Sequence, residues 1–246
     1  MKTVGSRAGR VDRADRTIAV LGAGGMVGSR VITEASARGH EVLALSRKPA
    51  SEDPKVRLVA VDANDSRAVR EALAGSASYA APDAVVLAVR TTPVDQEFLT
   101  GATRTVLDVA AELGIRVLVV GGAGALRSPG DRDLLVADNR TYVPAEFKAV
   151  AAAGIAQLRA CQAHPDAAWV YLSPPALLQP GKRTGDYRRG TDTLLTNADG
   201  DSWISAEDLA VAVLDELETP GRERHITVAA LAPVAPVAHE DERPSV

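Results

Sequence analysis

Seven residues, Gly22-Ala23-Gly24-Gly25-Met26-Val27-Gly28, lie between a short apolar run and a helical pattern, and their types suit the holding of a diphosphate. A sharp strand-to-helix turn needs a glycine. A phosphate group approaches the main chain closely only where no Cβ intervenes, and the new helix must pack tightly on the strand it leaves. Gly22, Gly25 and Gly28, spaced G-x-x-G-x-x-G, supply those three conditions in that order. Met26 and Val27 then open the helix. Their amides have no partner within it, and together with the local dipole they attract an anion.

The residues at the end of the second apolar run say what else the ligand carries. A site for an adenosine with free ribose hydroxyls commonly places Asp or Glu about 20 residues beyond the glycines. Here Ser46-Arg47-Lys48 occupies that place. A guanidinium pairs with a 2′-phosphate that a carboxylate would repel, so Arg47 points to NADPH, with NADH possible. Asp62 and Ala63 follow the third apolar run, where a side chain and an amide can hold the adenine amino group and ring nitrogen. A turn role for Asp62 explains it equally well.

Proton transfer alongside a hydride is commonly arranged by a Tyr and a Lys four apart on a helix. The residues four after Tyr79, Tyr142, Tyr171 and Tyr187 are Asp83, Glu146, Pro175 and Thr191, so that pair is missing. Lys148 is the candidate catalytic residue, positioned to touch the nicotinamide ribose or a substrate, although Phe147 stands beside it. A conjugated acceptor such as a flavin needs less help, because its ring system stabilises the charge that arrives with the hydride. Cys161 is the single cysteine, and His40, His164, His225 and His239 have no metal-ligand spacing, so no metal is expected.

These residues need a scaffold. Apolar runs at Thr17–Leu21, Glu41–Leu45, Val56–Val61, Ala84–Val89, Arg116–Val120 and Ala168–Leu172 read as strands. Helical patterns at Met26–Arg38, Ser66–Ala74, Gln96–Leu113 and Ala145–Cys161 separate them. Consecutive rather than alternating apolar positions suit strands covered on both faces. The expected fold is therefore α/β, a Rossmann-type doubly wound and mostly parallel sheet. A small hairpin over Thr193–Ile204, turning at Asp199-Gly200, should follow. Ser205 and Asp208 then start a helix, and His225–Val228 returns as a strand at the sheet edge.

With 246 residues, 46% hydrophobic and 24% charged, the chain can bury one core and is unlike disordered compositions. One Rossmann domain is expected over 17–231, between disordered tails at 1–16 and 232–246. The first 16 residues hold four arginines and no apolar stretch, and so do not read as a secretory signal. A net charge of -4 without a basic run argues against nucleic acid, and no segment approaches a membrane span. A lone cysteine suits a reducing, cytoplasmic setting. A monomer or homodimer is expected.

Several motifs together carry a family resemblance: L-G-A-G-G-M-V-G at Leu21–Gly28, S-R-K-P at Ser46–Pro49, V-V-G-G-A-G at Val119–Gly124 and S-P-P-A at Ser173–Ala176. P-G-K-R-T-G-D-Y-R at Pro180–Arg188 and I-S-A-E-D-L-A at Ile204–Ala210 complete it. The chain resembles the atypical short-chain dehydrogenase/reductase-like NAD(P)H-binding proteins described as NADH-flavin reductases. It is also similar to biliverdin-IXβ/flavin reductases and NmrA-like proteins. The resemblance implies that Ala88, Val89 and Arg90 line the coenzyme, that Gly121, Gly122 and Ala123 sit beside the nicotinamide, and that Ser173, Pro174, Pro175 and Ala176 form an opposing wall. The biliverdin reductases have a serine and a histidine where this chain has Ala123 and Ala176, which argues against biliverdin. The expected activity is hydride transfer from NADPH to a flavin, quinone or similar acceptor. The alternatives are a non-catalytic NADP-binding redox sensor, or a pathway-specific ketoreductase, isomerase or epimerase.

Overall fold

The computed structural model describes residues 16–51 and 53–231. In chain order the elements are β1 (Thr17–Leu21), α1 (Met26–Ala37), β2 (Glu41–Ser46), β3 (Val56–Ala60), α2 (Ser66–Leu73), β4 (Ala84–Leu87), α3 (Gln96–Leu113) and β5 (Arg116–Val120). They continue with β6 (Arg127–Ser128), β7 (Asp131–Leu135), α4 (Lys148–Ala163), β8 (Trp169–Ser173), β9 (Leu177–Gln179), β10 (Tyr187–Gly190), β11 (Trp203–Ser205), α5 (Ala206–Glu218) and β12 (His225–Ala230). Eight strands form one sheet in the order β10-β12-β8-β5-β4-β1-β2-β3, parallel except for β10. This is the doubly wound Rossmann arrangement, and its order reverses between β1 and β4.

The continuous apolar runs are explained by what covers the sheet. Ile18, Val20, Val42 and Ala44 point to the face carrying α1 and α5, while Ala19, Leu21, Leu43 and Leu45 point to the face carrying α2, α3 and α4. Successive strand residues thus enter opposite cores, each as apolar as the other. The edge strand β3 departs from this, with Leu58 44% exposed. Helix starts follow local chemistry. Asp65 accepts from the amides of Arg67 and Ala68, Asp95 from that of Phe98, and Ser205 from that of Asp208. Helix α1 has Gly25 at its N-cap and no side-chain cap.

Two expectations at the C-terminal side need correction. Residues 193–204 do form a turn, with the Asn197 amide donating to Asp201 O at 2.8 Å and Gly200 at φ +89°. They do not form a hairpin, because β11 pairs in parallel with β9 and Thr193 bridges to Arg127. The strand at His225 lies not at the edge but one position in, between β8 and β10. Residues 145–147 form a single 3-10 turn ahead of α4.

The tails expected at 1–16 and 232–246 lie outside the described residues except for Arg16. That residue is held in the fold: its guanidinium donates to the carbonyls of Leu217 and Glu218, and its amide faces His40 Nδ1. No helix among the described residues is long and apolar enough to cross a membrane.

Candidate functional site

At the switch point between β1 and β4 the chain leaves a cleft of ≈ 660 Å³. Its centre is the glycine turn. The amides of Gly22 and Ala23 donate to Leu45 O at 3.0 and 3.3 Å, that of Gly25 donates to Gly22 O at 2.9 Å, and that of Ala88 donates to Leu21 O at 2.8 Å. The turn is therefore stitched to β2 and β4 before any ligand arrives. Gly22 has φ +93°, and a Cβ there would lie 2.3 Å from Ala88 O. A Cβ on Gly28 would lie 2.2 Å from Gly22 O, so the glycine is what lets α1 reach the turn.

The open end of α1 fits a diphosphate. The first i→i−4 bond of the helix runs from the Ser29 amide to Gly25 O, which leaves the amides of Met26, Val27 and Gly28 ahead of it. No side chain caps them, and no acidic residue stands in the first turn. Gly24, Gly25, Met26 and Val27 line the cleft, and a Cβ on Gly24 would meet nothing within 4 Å. Bare amides, a positive helix end and free space are what an anionic group requires.

On the β2–β3 side the cleft is lined by Ser46, Arg47, Lys48, Asp62 and Ala63, and on the β4 side by Ala88, Val89, Arg90 and Thr91. Arg47, Lys48 and Arg90 are exposed, and none makes a hydrogen bond or ion pair with a described residue. Three unpaired cations at the rim give the cleft a positive field. Asp62 Oδ1 accepts from the Asn64 amide at 2.9 Å, so the turn role of this residue is realised while it also faces the cleft. Phe98, Val120 and Leu178 make the side toward β5 apolar.

Other expected site residues lie apart. Gly28 is beneath the turn rather than on the cleft wall. Gly121, Gly122 and Ala123 are half-buried just past Val120, without lining the cleft themselves. Ser173, Pro174 and Pro175 are buried, and the Ser173 hydroxyl is 3.0 Å from His225 Nε2. Lys148 is exposed at the first position of α4 and does not line the cleft. Tyr171 is fully buried and burial pushes its hydroxyl pKa up, while Tyr187 donates to Asp215 at 2.6 Å. Cys161 is buried on α4, and burial pushes its thiol up to about 12, so it is an inert packing residue. Among the described residues no group of three His, Cys, Asp or Glu side chains could hold a metal ion.

Sequence reasoning did not single out Gly24, Lys48, Thr91, Phe98, Val120 or Leu178 as ligand contacts. The signal for Gly24 was available in the glycine run. For Phe98 and Leu178 there was none, since they reach the cleft through the tertiary placement of α3 and β9, which the local sequence does not encode.

A doubly wound sheet with an uncapped, glycine-lined helix end at its switch point defines a dinucleotide-binding protein. The chain belongs to the NAD(P)H-binding family, whose model matches residues 22–220. Three solved structures are similar over most of its length. A proposed exported protein of Burkholderia pseudomallei is 36% identical, with a TM-score of 0.77 over 87% of this chain and 99% of its own. A proposed epimerase of Bacteroides thetaiotaomicron is 31% identical, with a TM-score of 0.78 over 90% and 100%. A proposed NADH-flavin reductase of Streptococcus pneumoniae is 27% identical, with a TM-score of 0.73 over 87% and 99%.

Proposed function

We propose that this protein is an NADPH-dependent reductase that passes hydride to a flavin, quinone or similar conjugated acceptor. The observation that carries the reading is the division of the cleft. Arg47, Lys48 and the open amides of α1 suit a phosphorylated dinucleotide on one side, while toward β5 the lining of Phe98, Val120 and Leu178 is apolar and, among the described residues, includes no carboxylate or histidine. The titratable residues lining the cleft are Arg47, Lys48, Asp62 and Arg90, and Asp62 belongs to the adenosine side. When bound, NADPH supplies a hydride from nicotinamide C4, and the residues around it bind, orient and exclude water. An acceptor whose ring system stabilises the incoming electrons takes its proton from solvent.

The similarity to a protein named as an NADH-flavin reductase supports this reading. The similarity to a protein named as an epimerase is weighed against it, because epimerisation and carbonyl reduction both call for a positioned acid or base. The buried, hydrogen-bonded Tyr171 is unsuited to that task. Arg47 favours NADPH over NADH, and the protein acts in the cytoplasm as a monomer or homodimer without nucleic acid or membrane partners.

The test is oxidation of NADPH by purified protein, followed at 340 nm with riboflavin, flavin mononucleotide and simple quinones. The expected result is acceptor-dependent turnover. Tight nucleotide binding with no turnover above buffer for any acceptor sinks the reductase reading and leaves a nucleotide sensor.

A further inference from the structure

Past Val120 the main chain runs through Gly121 and Gly122 beside the ring of Tyr171, on the neighbouring strand β8. The Gly121 amide donates to Leu172 O at 2.9 Å, which continues the sheet by one residue. A Cβ on Gly121 would lie 1.9 Å from Cζ and the hydroxyl oxygen of Tyr171. Position 121 is therefore glycine because the tyrosine ring fills the space beneath it. On Gly122, by contrast, a Cβ would meet nothing within 4 Å.

The tyrosine hydroxyl is fully committed. It donates to Gly154 O of α4 at 2.8 Å and accepts from the Gly122 amide at 3.4 Å. Gln157 Oε1 lies 3.4 Å away, and Gln157 Nε2 donates to Thr103 Oγ1 of α3 at 3.2 Å. All of these groups but the Gly122 amide belong to the buried interior, with Tyr171 and Thr103 fully buried and Gln157 3% exposed. If packing were all that position 171 supplied, phenylalanine would fill the same space without a polar group to satisfy. The hydroxyl instead ties the end of β5 to α4.

What that end of β5 supports follows from the direction of the cleft. With the diphosphate on α1 and the adenosine half toward Arg47 and Asp62, the other half of a dinucleotide must cross the switch point. It then lies over the carboxyl ends of β4 and β5. Val120, the last residue of β5, lines the cleft there, and Gly121-Gly122 come next. We infer that Tyr171 is a positioning residue for the nicotinamide half of the coenzyme, acting through the Gly122 backbone that its hydroxyl fixes. The inference rests on the coenzyme reading above and adds to it a residue that does not touch the ligand.

The experiment compares Tyr171→Phe with wild type in binding NADPH and the fragment 2′,5′-ADP, by calorimetry, and in hydrogen exchange of the Gly122 amide. The phenyl ring preserves the packing against Gly121. The ratio of NADPH to fragment affinity is expected to fall about tenfold, with fragment affinity unchanged and Gly122 exchange faster. Where turnover is measurable, kcat falls more than KM for NADPH rises. Thr103→Val serves as the second variant: it disturbs the buried network away from Gly122 and should leave the affinity ratio alone. An unchanged ratio in Tyr171→Phe, or an equal fall in Thr103→Val, overturns the inference while the coenzyme reading stands. Failure of wild type to bind either nucleotide overturns both.

Discussion

Gly24 and Gly28 are four residues apart and answer to different demands. A Cβ on Gly28 would drive into the Gly22 carbonyl at 2.2 Å, whereas a Cβ on Gly24 would project into open space on the cleft wall. Gly28→Ala should therefore lower the unfolding free energy by about 1–3 kcal/mol, as overpacking does. Gly24→Val should melt near wild type yet bind NADPH at least about tenfold more weakly, a loss of ~1.4 kcal/mol. Melting curves and calorimetry separate the two, and a Gly24→Val protein with full affinity would remove the phosphate from that wall. Arg47 permits a second test. Arg47→Ala should weaken NADPH by about 1.5–3 kcal/mol, the range of a charged hydrogen bond, and NADH hardly at all; equal weakening of both would end its assignment to a 2′-phosphate. At this scale the sequence was readable wherever one residue type had one physical use, as with Gly22, Gly25 and Gly28. It was less readable at Gly121, which the family resemblance assigned to the coenzyme and which packing against Tyr171 demands. A glycine records that space is needed without recording what fills it.

The elements show why the I-S-A-E-D-L-A and P-G-K-R-T-G-D-Y motifs occur together. Ser205 caps α5 and donates to Lys182 O at 3.0 Å, and Glu207 accepts from the Gly181 amide at 2.7 Å while pairing with Arg30 of α1. Asp208 accepts from the Thr184 amide at 2.7 Å, the Thr184 hydroxyl at 2.6 Å and the Gly185 amide at 2.8 Å. The first turn of α5 thus clamps the segment that follows Leu178, one of the cleft residues. Asp208→Ala should cost about 1–3 kcal/mol, since it leaves two backbone amides without their acceptor, and should raise the acceptor KM more than the NADPH KM. A change confined to the NADPH KM would count against the clamp. Nearby, Glu34 of α1 is held down to about 2, chiefly by hydrogen bonds from Arg183 and, against the cost of burial, by Arg38. A folded-state value below the ordinary 4.5 stabilises the protein fully above that pH and progressively less as pH falls toward about 2. Glu34→Gln should flatten the fall in melting temperature across that window, and an unchanged acid slope would show that other carboxylates set it. Strands were legible as continuous apolar runs and the long helices by their apolar faces, helped at α2, α3 and α5 by a side-chain N-cap. The hairpin expected over 193–204 was not, because the Asp199-Gly200 turn is encoded locally while the partner of Trp203–Ser205, the distant strand Leu177–Gln179, is not.

At the scale of the whole molecule, every residue assigned to the coenzyme lies before Leu178, yet the fold that presents them does not close there. Strand β12 is inserted between β8 and β10, and it completes the sheet only after the chain has passed through α5. Leu209, Val213, Leu214 and Leu217 of α5 share a core with Val31, Ile32 and Ala35 of α1, the helix whose open end receives the diphosphate. Arg38 of that helix bonds Asp215 and Glu218 of α5, and Arg16, ahead of β1, bonds the α5 carbonyls of Leu217 and Glu218. The first and last parts of the chain therefore stabilise each other, and the binding site inherits its rigidity from residues that never approach the ligand. A chain ending at Ile204 keeps all the predicted contacts but exposes the α1 face and the open side of β8. It should show no cooperative melting transition and gain nothing from NADPH. The full-length protein should melt in one transition, raised by ~2.7 kcal/mol of added stability when NADPH is present at about 100 times its Kd. If the shortened chain instead melts cooperatively and responds to NADPH, the site is independent of the C-terminal elements, and the long-range coupling of α1 to α5 would be packing without consequence for binding.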